Sequence, residues 1–377
     1  MSLNINTKTA YFDEPLKLES GRILESYQLA YETYGTLNED KSNVIVVTHA
    51  LSGSAHAAGI YDGDRKPGYW DDLIGDGKAL DTTKYFIITS NNLGSCFGST
   101  SPQSLQKNGQ PYLFKFPVLT ISDIVKAQVN LLKSLNITHL KAVIGGSMGG
   151  MQALCYAIEY PNIADMIIPL ATTAYTRPWA IAYNKVVMEA IRNDVNFKDG
   201  YYNTEDIKQN GLKGLAVGRM AGHISYLNPQ SMNEKFGRKY TSNDGLYELF
   251  GRFEVERYLE YNGYNFPHNF DPLSYLYIVK TINIFNAARG SDKIEDSLIK
   301  IKSKLHLLSF SGDMLFFPQE MEEIKILMDS IGNGGLCTYE MIDSDYGHDA
   351  FLTQVDKFED KIKDMLNESY TKGKYEK

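Results

Sequence analysis

Short apolar segments alternate with segments of helical periodicity in the first part of the chain. Apolar residues recur at helical spacing over Ser122–Leu135 and Met151–Ile158, and Tyr27–Tyr34 alternates with the period of two that predicts an edge strand. Strands buried on both faces read as continuous apolar runs, so their alternation with helices indicates a parallel sheet covered by helices on both sides. The continuous apolar runs are Val44–Thr48, Tyr85–Thr89, Ala142–Ile144 and Met166–Leu170.

This alternation stops after Thr173 and returns near Leu305. The pattern therefore predicts a helical lid inserted over residues 174–301, and an α/β core formed by residues 1–173 and 302–377. The helical segments predicted in the insertion are Trp179–Ile191, Asp206–Ile224 and Ser274–Ala288. The elements predicted after it are the strands Leu305–Phe310 and Thr338–Ile342 and the helices Gln319–Ile331 and Ala350–Leu366.

Composition narrows the class of protein. The 377 residues suit one large domain with an insertion, and a net charge of -8 argues against a nucleic-acid surface, because phosphate binding needs clustered Lys and Arg. The three cysteines are scattered, so we expect neither a disulfide framework nor a metal site. The N-terminal residues do not resemble a signal peptide, and no apolar run is long enough to span a membrane. We expect a cytoplasmic protein.

The strand Ala142–Ile144 runs directly into Gly145-Gly146-Ser147-Met148-Gly149, a Gly-x-Ser-x-Gly sequence. At a strand-to-helix junction this sequence predicts a nucleophile elbow, in which the serine occupies a sharp turn with its hydroxyl exposed. Glycines flank the serine because side chains there would clash with the neighbouring strand and helix. The alternative interpretation is a glycine-rich turn without a catalytic function.

A nucleophilic serine needs a base, and the base needs an orienting carboxylate. In elbow-type α/β enzymes the carboxylate and then the histidine follow the serine along the chain. Asp313 comes after one late strand and His348 after the next, so both should lie at the carboxyl edge of the sheet, where such proteins place their sites. Asp343 and Asp345 are the alternative carboxylates.

An oxyanion hole needs two preorganised N–H donors. The first expected donor is the backbone N–H of Met148, the residue after the serine, and the second comes from the loop after an early central strand. That loop is His49–Gly53, and within it we favour Leu51, although a simple tight turn is the alternative. The other histidines are not expected to be the base. His139 and His306 lie beside or inside predicted strands and are expected to be structural, and His268 is expected on the surface of the insertion. His49 and His56 precede the serine, which is the wrong chain order for the base.

Several segments together resemble one known family. They are His49–Gly53, Gly68–Asp71, Gly94–Thr100, Gly145–Leu154, Arg219–Leu227 and Gly347–Leu352. These segments resemble the homoserine O-acetyltransferases of the α/β-hydrolase superfamily, and the similarity extends over nearly the whole chain, whereas a generic esterase would share only the elbow. The resemblance implies an α/β-hydrolase fold, with a mostly parallel central sheet, helices on both faces and an inserted helical lid.

The same resemblance implies an activity. Members of the family move an acetyl group from acetyl-CoA to the side-chain hydroxyl of L-homoserine, in methionine biosynthesis, by a ping-pong acyl-serine mechanism. It implies acetyl-CoA as a co-substrate, no bound cofactor or metal, and a homodimer joined through the lid helices. The implied site residues are Ser147 as nucleophile, His348 as base, Asp313 as orienting carboxylate, Leu51 and Met148 as oxyanion donors, Arg219 for the substrate carboxylate and Asp349 for its amino group.

The two substrate-binding residues implied by the resemblance suit an amino acid. The planar guanidinium of Arg219 can meet a carboxylate with two parallel hydrogen bonds, and Asp349 can hold an ammonium beside His348. Without the resemblance, Arg219 would be interpreted as part of a lid salt bridge and Asp349 as a helix N-cap.

Four residues depart from the family pattern. Asp76 replaces a usual proline, Ser122 stands where arginine is common, and Ser95 and Ser101 replace usual glycines. They leave the acyl donor open between acetyl-CoA and succinyl-CoA, and the acceptor open between homoserine and serine. A serine hydrolase that releases the acyl group to water and a non-catalytic binding protein on the same fold are the remaining hypotheses.

Overall fold

The computed structural model describes residues 6–62, 66–242 and 245–367. Within these ranges an eight-stranded sheet forms the centre of the molecule, and there are two further two-stranded sheets. The strands in chain order are β1 Lys8–Phe12, β2 Leu16–Lys17, β3 Ile23–Leu24, β4 Tyr27–Tyr34, β5 Val44–Thr48, β6 Ile74–Gly75, β7 Leu80–Asp81, β8 Phe86–Ser90, β9 Leu140–Gly146, β10 Ala164–Leu170, β11 Lys304–Phe310 and β12 Cys337–Ile342.

The large sheet has the strand order β1-β4-β8-β5-β9-β10-β11-β12. β1 pairs antiparallel with β4, and β4 pairs antiparallel with β8. All pairings from β8 to β12 are parallel, and Val143 of β9, for example, lies between Val46 and Ile167 of its two neighbours. The mostly parallel sheet predicted from the apolar runs is confirmed. At the antiparallel end of the sheet the edge strand is β1 rather than β4, because β1 pairs along the outer side of β4.

Helices cover both faces of this sheet. The helices are α1 Ile121–Ser134, α2 Met148–Glu159, α3 Pro178–Arg192, α4 Thr204–Asn210, α5 Lys213–Tyr226, α6 Pro229–Phe236, α7 Glu254–Asn265, α8 Pro272–Asn283, α9 Glu295–Leu298, α10 Pro318–Ser330, α11 Ala350–Thr353 and α12 Glu359–Asn367. Successive strand residues point to opposite faces. Thus Val143 packs in a core with α1, α2 and α10, while Ala142 and Ile144 pack in a second core with α11 and α12. Each buried aliphatic side chain contributes about 1.5–3 kcal/mol.

The helices α3 to α9 form an insertion between β10 and β11. They share a core of their own, to which Val187, Leu215 and Leu273 contribute. The segment that follows β10 is joined to the segment that follows α8 by an antiparallel bridge between Tyr175 and Asn286. The exact division into residues 1–173 with 302–377 and residues 174–301 stays a prediction, and residues 1–5 and 368–377 of it lie outside the described ranges. No helix within the described ranges has the length and apolarity to cross a membrane.

Three helix predictions were wrong in extent. The helix predicted over Asp206–Ile224 is two helices, because Gly211 ends α4 with a φ of 72°. The helix predicted over Ser274–Ala288 ends at Asn283, where the chain turns back to the core. The final helix predicted over Ala350–Leu366 is interrupted at Gln354, whose backbone angles are not helical, and this offset lets the Phe358 ring pack edge-on against a strand of the sheet.

Candidate active site

The serine of the Gly-x-Ser-x-Gly sequence lies between the last residue of β9 and the first residue of α2. Its backbone angles, φ 57° and ψ -123°, belong to a region that L-residues rarely adopt. A Cβ on Gly145 would overlap the Thr48 side chain, and a Cβ on Gly149 would overlap the Thr48 carbonyl oxygen. The turn therefore requires glycine on both sides of Ser147.

Hydrogen bonds hold this unfavourable turn in place. The Ser147 N–H donates to the Leu170 carbonyl oxygen at 2.9 Å. The Thr172 hydroxyl donates to the Ser147 carbonyl oxygen at 2.8 Å. Such a backbone conformation costs about 1–3 kcal/mol and persists only where the surroundings impose it. Here β10 and the residues that follow it impose it.

The side chains of Ser147, His348 and Asp313 form one continuous hydrogen-bonded chain. Ser147 Oγ lies 2.9 Å from His348 Nε2, and His348 Nδ1 lies 2.7 Å from Asp313 Oδ2. Because a carboxylate only accepts, Nδ1 carries the proton and Nε2 is left free to accept from the serine hydroxyl. All three side chains are buried. Residues predicted from three distant segments of the chain thus lie in direct contact.

Asp313 is the candidate carboxylate that contacts the imidazole. Its other oxygen, Oδ1, accepts hydrogen bonds from the backbone N–H groups of Leu315 and Phe316 at 2.9 and 3.0 Å. These bonds fix the carboxylate group in one orientation. The alternatives, Asp343 and Asp345, are both exposed, and neither forms an ion pair with a histidine of the described chain.

The electrostatic surroundings of His348 raise the pKa of its imidazole. Burial alone would lower the pKa of His348, but the adjacent Asp313 carboxylate, with smaller contributions from Asp349 and Glu320, raises it above its ordinary value. A higher pKa makes the imidazole a stronger base towards a hydroxyl. Glu320 was not among the predicted residues, because nothing in the sequence distinguishes it from other carboxylates of an amphipathic helix.

Two backbone N–H groups near the serine have no acceptor in the described part of the chain. One belongs to Met148, the first residue of α2, and the other to Leu51 in the loop after β5. N–H groups at a helix start are unpaired within the helix and carry the positive end of its dipole. Leu51 and Ser147 both line the same pocket. The arrangement suits an oxyanion.

A pocket of about 730 Å³, including its open mouth, lies between the lid and the loops at the carboxyl ends of the parallel strands. Core loops and lid helices contribute to its wall in similar measure, so the lid forms its roof. The lining residues are Ala50, Leu51, Ser52, Ser147, Ala180, Tyr183, Asn184, Val187, Arg219, Gly222, Ser225, Tyr226, Tyr275, Ile282, Leu315, Phe316, His348, Asp349, Phe351 and Leu352.

Arg219 and Asp349 bring one positive and one negative charge into this pocket. The guanidinium of Arg219 lies 5.2 Å from the Tyr226 ring centroid and 4.6 Å from that of Phe266, and it forms no ion pair within the described ranges. Asp349 occupies an N-cap position, but its side chain makes no capping hydrogen bond. Burial raises the pKa of Asp349, against the influence of His348 and Arg219. Among the described residues, therefore, Arg219 has no salt bridge in the lid and the Asp349 side chain does not cap the helix.

Tyr226 was missed by the sequence analysis. Its ring lies between Arg219 and His348, with centroids 6.2 Å apart for Tyr226 and His348. A usable signal existed, because positions 219 and 226 are two helical turns apart and therefore share one face of α5. Pocket residues on other lid helices, such as Asn184 and Tyr275, had no such signal, since they reach the pocket only through tertiary packing.

The fold and the serine–histidine–carboxylate contact define a class, the proteins of the α/β-hydrolase fold. A family model described as "alpha/beta hydrolase fold" matches residues 43–355. The chain is 60% identical over 366 residues to a homoserine O-acetyltransferase of Nautilia profundicola, which covers 97% of this chain and 99% of that protein. The chain belongs to the homoserine O-acetyltransferase family.

Solved structures share this architecture. The crystal structure of a homoserine O-acetyltransferase from Bacillus anthracis superimposes with a TM-score of 0.89 at 28% sequence identity, covering 97% of this chain and 99% of that one. The crystal structure of esterase E22 superimposes with a TM-score of 0.86 at 30% identity, covering 96% and 100% of the two chains. The scaffold therefore occurs in proteins named as transferases and in proteins named as esterases.

Proposed function

We propose that the protein transfers an acetyl group from acetyl-CoA to the side-chain hydroxyl of L-homoserine, through an acyl intermediate on Ser147. One observation carries this proposal beyond the family relationship. The pocket that holds the serine hydroxyl also holds Arg219, which forms no ion pair within the described ranges, and Asp349, whose side chain makes no capping hydrogen bond. An amino acid needs both charges, whereas a simple ester needs neither.

The first half-reaction forms the acyl-enzyme. His348 Nε2 takes the proton of Ser147 Oγ as that oxygen attacks the thioester carbonyl carbon. The negative charge on the carbonyl oxygen is stabilised by the N–H groups of Leu51 and Met148, each such donor contributing about 2.7–4 kcal/mol. The carbon–sulfur bond then breaks, and the departing CoA sulfur takes the proton from His348. Asp313 keeps the imidazole oriented throughout.

The second half-reaction transfers the acetyl group. The homoserine hydroxyl gives its proton to His348 and attacks the acetyl carbonyl carbon, and Ser147 Oγ leaves with that proton. Water competes for the same carbonyl at far higher concentration. Correct orientation supplies an effective molarity of about 10⁵–10⁸ M, and the lid over the pocket limits the access of water.

Acceptor recognition is assigned to two residues. Arg219 binds the homoserine carboxylate through its planar fork, with the aromatic rings that flank the guanidinium limiting its motion. Asp349 binds the ammonium group and directs the hydroxyl towards the neighbouring His348. Pairing with an ammonium would also offset the burial that raises the pKa of this carboxyl.

The charge of the pocket supports acetyl-CoA rather than succinyl-CoA as the donor. Among the described residues that line the pocket, Arg219 is the only Lys or Arg side chain. A succinyl group carries a second carboxylate, which would need a second cation once it is removed from water. The apolar wall of Leu315 and Leu352 suits a methyl group instead.

A serine hydrolase is the second candidate, because esterase E22 shares the scaffold. One assay separates the two functions. Purified protein receives acetyl-CoA or succinyl-CoA, each with and without homoserine or serine, and the released thiol is measured. We expect thiol release that requires acetyl-CoA and homoserine together. Thiol release that does not respond to the amino acid would favour hydrolysis, and no turnover of any acyl-CoA or ester would favour a binding protein.

We also propose that two copies associate through their lids. On α5, Val217 and Ile224 are 48% and 47% exposed and lie two turns apart on one face. On the adjoining α7, Tyr261 and Tyr264 are 67% and 51% exposed. These four side chains, named here the lid stripe, place apolar surface on two helices that pack together. Exposed apolar surface of this kind is typical of an interface.

A further inference from the structure

His49, which begins the loop after β5, is only 1% exposed and makes hydrogen bonds at both ring nitrogens. The backbone N–H of Asn92 donates to Nε2 at 2.9 Å. Because an amide N–H only donates, Nε2 carries no proton. Nδ1 lies 2.7 Å from the Ala50 carbonyl oxygen, which only accepts, so Nδ1 carries the proton and donates it. The ring is therefore neutral, with its proton on Nδ1.

This hydrogen bond controls the direction of a second group. The Ala50 carbonyl and the Leu51 N–H belong to one planar trans peptide, in which the two groups point in opposite directions. Holding the carbonyl oxygen against His49 Nδ1 therefore directs the Leu51 N–H the other way. The Gly53 N–H donates to the same carbonyl oxygen at 3.1 Å, so two donors fix the plane.

Buried amide side chains connect His49 to the other predicted oxyanion donor. Gln152 Nε2 donates to the carbonyl oxygen of His49 at 3.1 Å and to that of Met148 at 3.3 Å. Gln152 Oε1 accepts from Gln128 Nε2 at 2.7 Å, and the same Gln128 nitrogen lies 3.3 Å from Asn92 Oδ1. The side chains of this network are buried and uncharged. It links the loop after β5 to the start of α2.

We propose that His49 is a positioning residue, which holds the peptide between Ala50 and Leu51 so that the Leu51 N–H faces the oxyanion formed at Ser147. This inference rests on the proposed function, in which Leu51 is an oxyanion donor. A donor works only when it is aligned before the reaction, because realignment during the reaction would consume the energy that it supplies.

The protonation state agrees with this role. Burial lowers the pKa of His49 to about 4, although the Ala50 carbonyl acts in the opposite direction. Protonation would also place a ring N–H directly against the donating N–H of Asn92. The neutral tautomer is therefore kept at every pH at which a serine–histidine pair can work.

Two substitutions at position 49 and one elsewhere test the inference. His49→Leu removes both hydrogen bonds, whereas His49→Gln retains one donor and one acceptor. His306→Leu is the matched control, since it removes another buried imidazole, which hydrogen-bonds to Thr338 within the sheet. We expect kcat to fall about 100-fold in His49→Leu, the size of effect that misalignment by about 1 Å produces. The KM of His49→Leu for both substrates should stay within about threefold of the native value. The kcat of His49→Gln should be at least about tenfold higher than that of His49→Leu.

Binding of a small alkylboronic acid gives a readout that a purely structural role would not change. The boronic acid forms a tetrahedral adduct on the serine, so its affinity should fall by the same factor as kcat/KM in His49→Leu and be unchanged in His306→Leu. A His49→Leu protein with kcat within threefold of the native value, or equal losses in the Leu and Gln variants, would overturn the inference. If the Leu variant does not fold, His49→Asn, whose side chain is too short to span both partners, replaces it with the same expected loss.

Hydrolysis of p-nitrophenyl acetate separates this inference from the proposed function. That reaction uses the serine and the oxyanion donors but neither CoA nor homoserine. A native protein that hydrolyses the ester and never transfers acetyl groups would contradict the proposed function and still allow His49 to be tested. Equal rates of ester hydrolysis in the native and His49→Leu proteins would overturn only the role of His49.

Discussion

At the scale of single residues, the site depends on a serine held in an unfavourable backbone conformation and on the two opposite charges of Arg219 and Asp349 in the pocket. The φ of 57° at Ser147 aims the hydroxyl at His348 Nε2, 2.9 Å away. The neighbouring Arg219 and Asp349 are available to a ligand because neither forms an ion pair within the described ranges, and Asp349 makes no side-chain capping hydrogen bond. Substitution of each of these residues should therefore impair a different part of the activity.

Replacing Ser147 by alanine should abolish acyl transfer and preserve the fold. The hydroxyl makes its hydrogen bond to His348, and its removal leaves no cavity of consequence. We expect kcat to fall by at least about 10⁴-fold, in line with the loss of other serine nucleophiles. Turnover is measured by thiol release and the fold by thermal melting. The control is Ser134→Ala, on α1 away from the pocket, and a Ser147→Ala protein with more than a tenth of native turnover would contradict the assignment.

Asp313→Asn should move the pH profile. Asp313 is the main group that raises the pKa of His348, while burial acts in the opposite direction. Because the base must be neutral, activity is lost as the pH falls through the pKa of His348, so the acid limb of kcat/KM should lie above about 6.5 in the native protein. In the variant the limb should move to lower pH, and the plateau should fall about 10⁴-fold. An acid limb that stays at the native pH would contradict the assignment of Asp313.

Arg219→Ala should impair use of the amino acid more than acylation of the serine. Loss of a buried charge-assisted contact costs about 2–5 kcal/mol, so kcat/KM for homoserine should fall at least about 30-fold. The rate of p-nitrophenyl acetate hydrolysis should stay within about threefold of the native rate. Arg219→Lys keeps the charge but lacks the planar fork, so its kcat/KM for homoserine should lie between the values of the native protein and the Ala variant. An unchanged dependence on homoserine would remove Arg219 from the acceptor site.

At the scale of elements, the carboxyl ends of the parallel strands gather the site. β5 leads to the Leu51 loop, β9 to Ser147, β11 to Asp313 and β12 to His348. These strands lie close in the order β5-β9-β10-β11-β12, so their outgoing loops meet at one edge. This explains why segments up to 201 residues apart in sequence form one hydrogen-bonded chain.

The position of the triad residues at one edge of the sheet was predictable, because the sequence features that indicate it involve residues close together in the chain. Apolar runs identify the strands, and the chain order of serine, aspartate and histidine identifies the triad without any knowledge of packing. The break at Gly211 was not predictable, since an isolated glycine inside a helical pattern is often tolerated. Glu320 and Tyr275 reach the site only because distant helices pack around it. Such contacts depend on tertiary structure, which a single sequence does not display.

The start of the lid is fastened to the loop that carries Asp313. Arg177, at the N-cap of α3, forms ion pairs with Glu320 and Glu323 of α10. Beside it, Trp179 Nε1 donates to the Met314 carbonyl oxygen at 2.7 Å. Glu320 is buried, so removal of its cationic partner leaves an uncompensated charge. These contacts connect lid position to the geometry of the triad.

Arg177→Ala should therefore make the lid admit more water. We expect the ratio of acetyl-CoA hydrolysis to homoserine acetylation to rise about threefold or more, because a looser lid weakens the exclusion of water. Both products are measured in one reaction from free thiol and acetylated amino acid. Arg192→Ala is the matched control, since it breaks an exposed pair with Glu189 on the same helix, where surface ion pairs contribute about 0–1 kcal/mol. Equal ratios in the two variants would show that the Arg177 contacts do not restrain the lid.

At the scale of the whole molecule, the pocket lies between the sheet and the lid. Part of the lid packs in a core of its own, while Ile278 and Ile282 of α8 join the core of the sheet. The core supplies Ser147 and His348 to the pocket, and the lid supplies Arg219 and the roof. One helix, α5, faces both ways, since Arg219 and Tyr226 line the pocket while Val217 and Ile224 of the lid stripe face outwards. A partner bound to the lid stripe would therefore also restrain the side of α5 that lines the pocket.

Ile224→Glu should for this reason change both the assembly and the acceptor affinity. Burying an unpaired carboxylate in an apolar interface is costly. In an interface of the usual size, about 1,200–2,000 Å², this cost should be enough to prevent association. We expect a dimer for the native protein and a monomer for the variant by analytical ultracentrifugation. Val195→Glu, at an 85% exposed lid position outside the stripe, should remain dimeric. Because α5 carries Arg219, the monomer should show a higher KM for homoserine and near-native hydrolysis of p-nitrophenyl acetate. A native monomer, or a dimeric Ile224→Glu variant, would exclude the lid stripe as the interface.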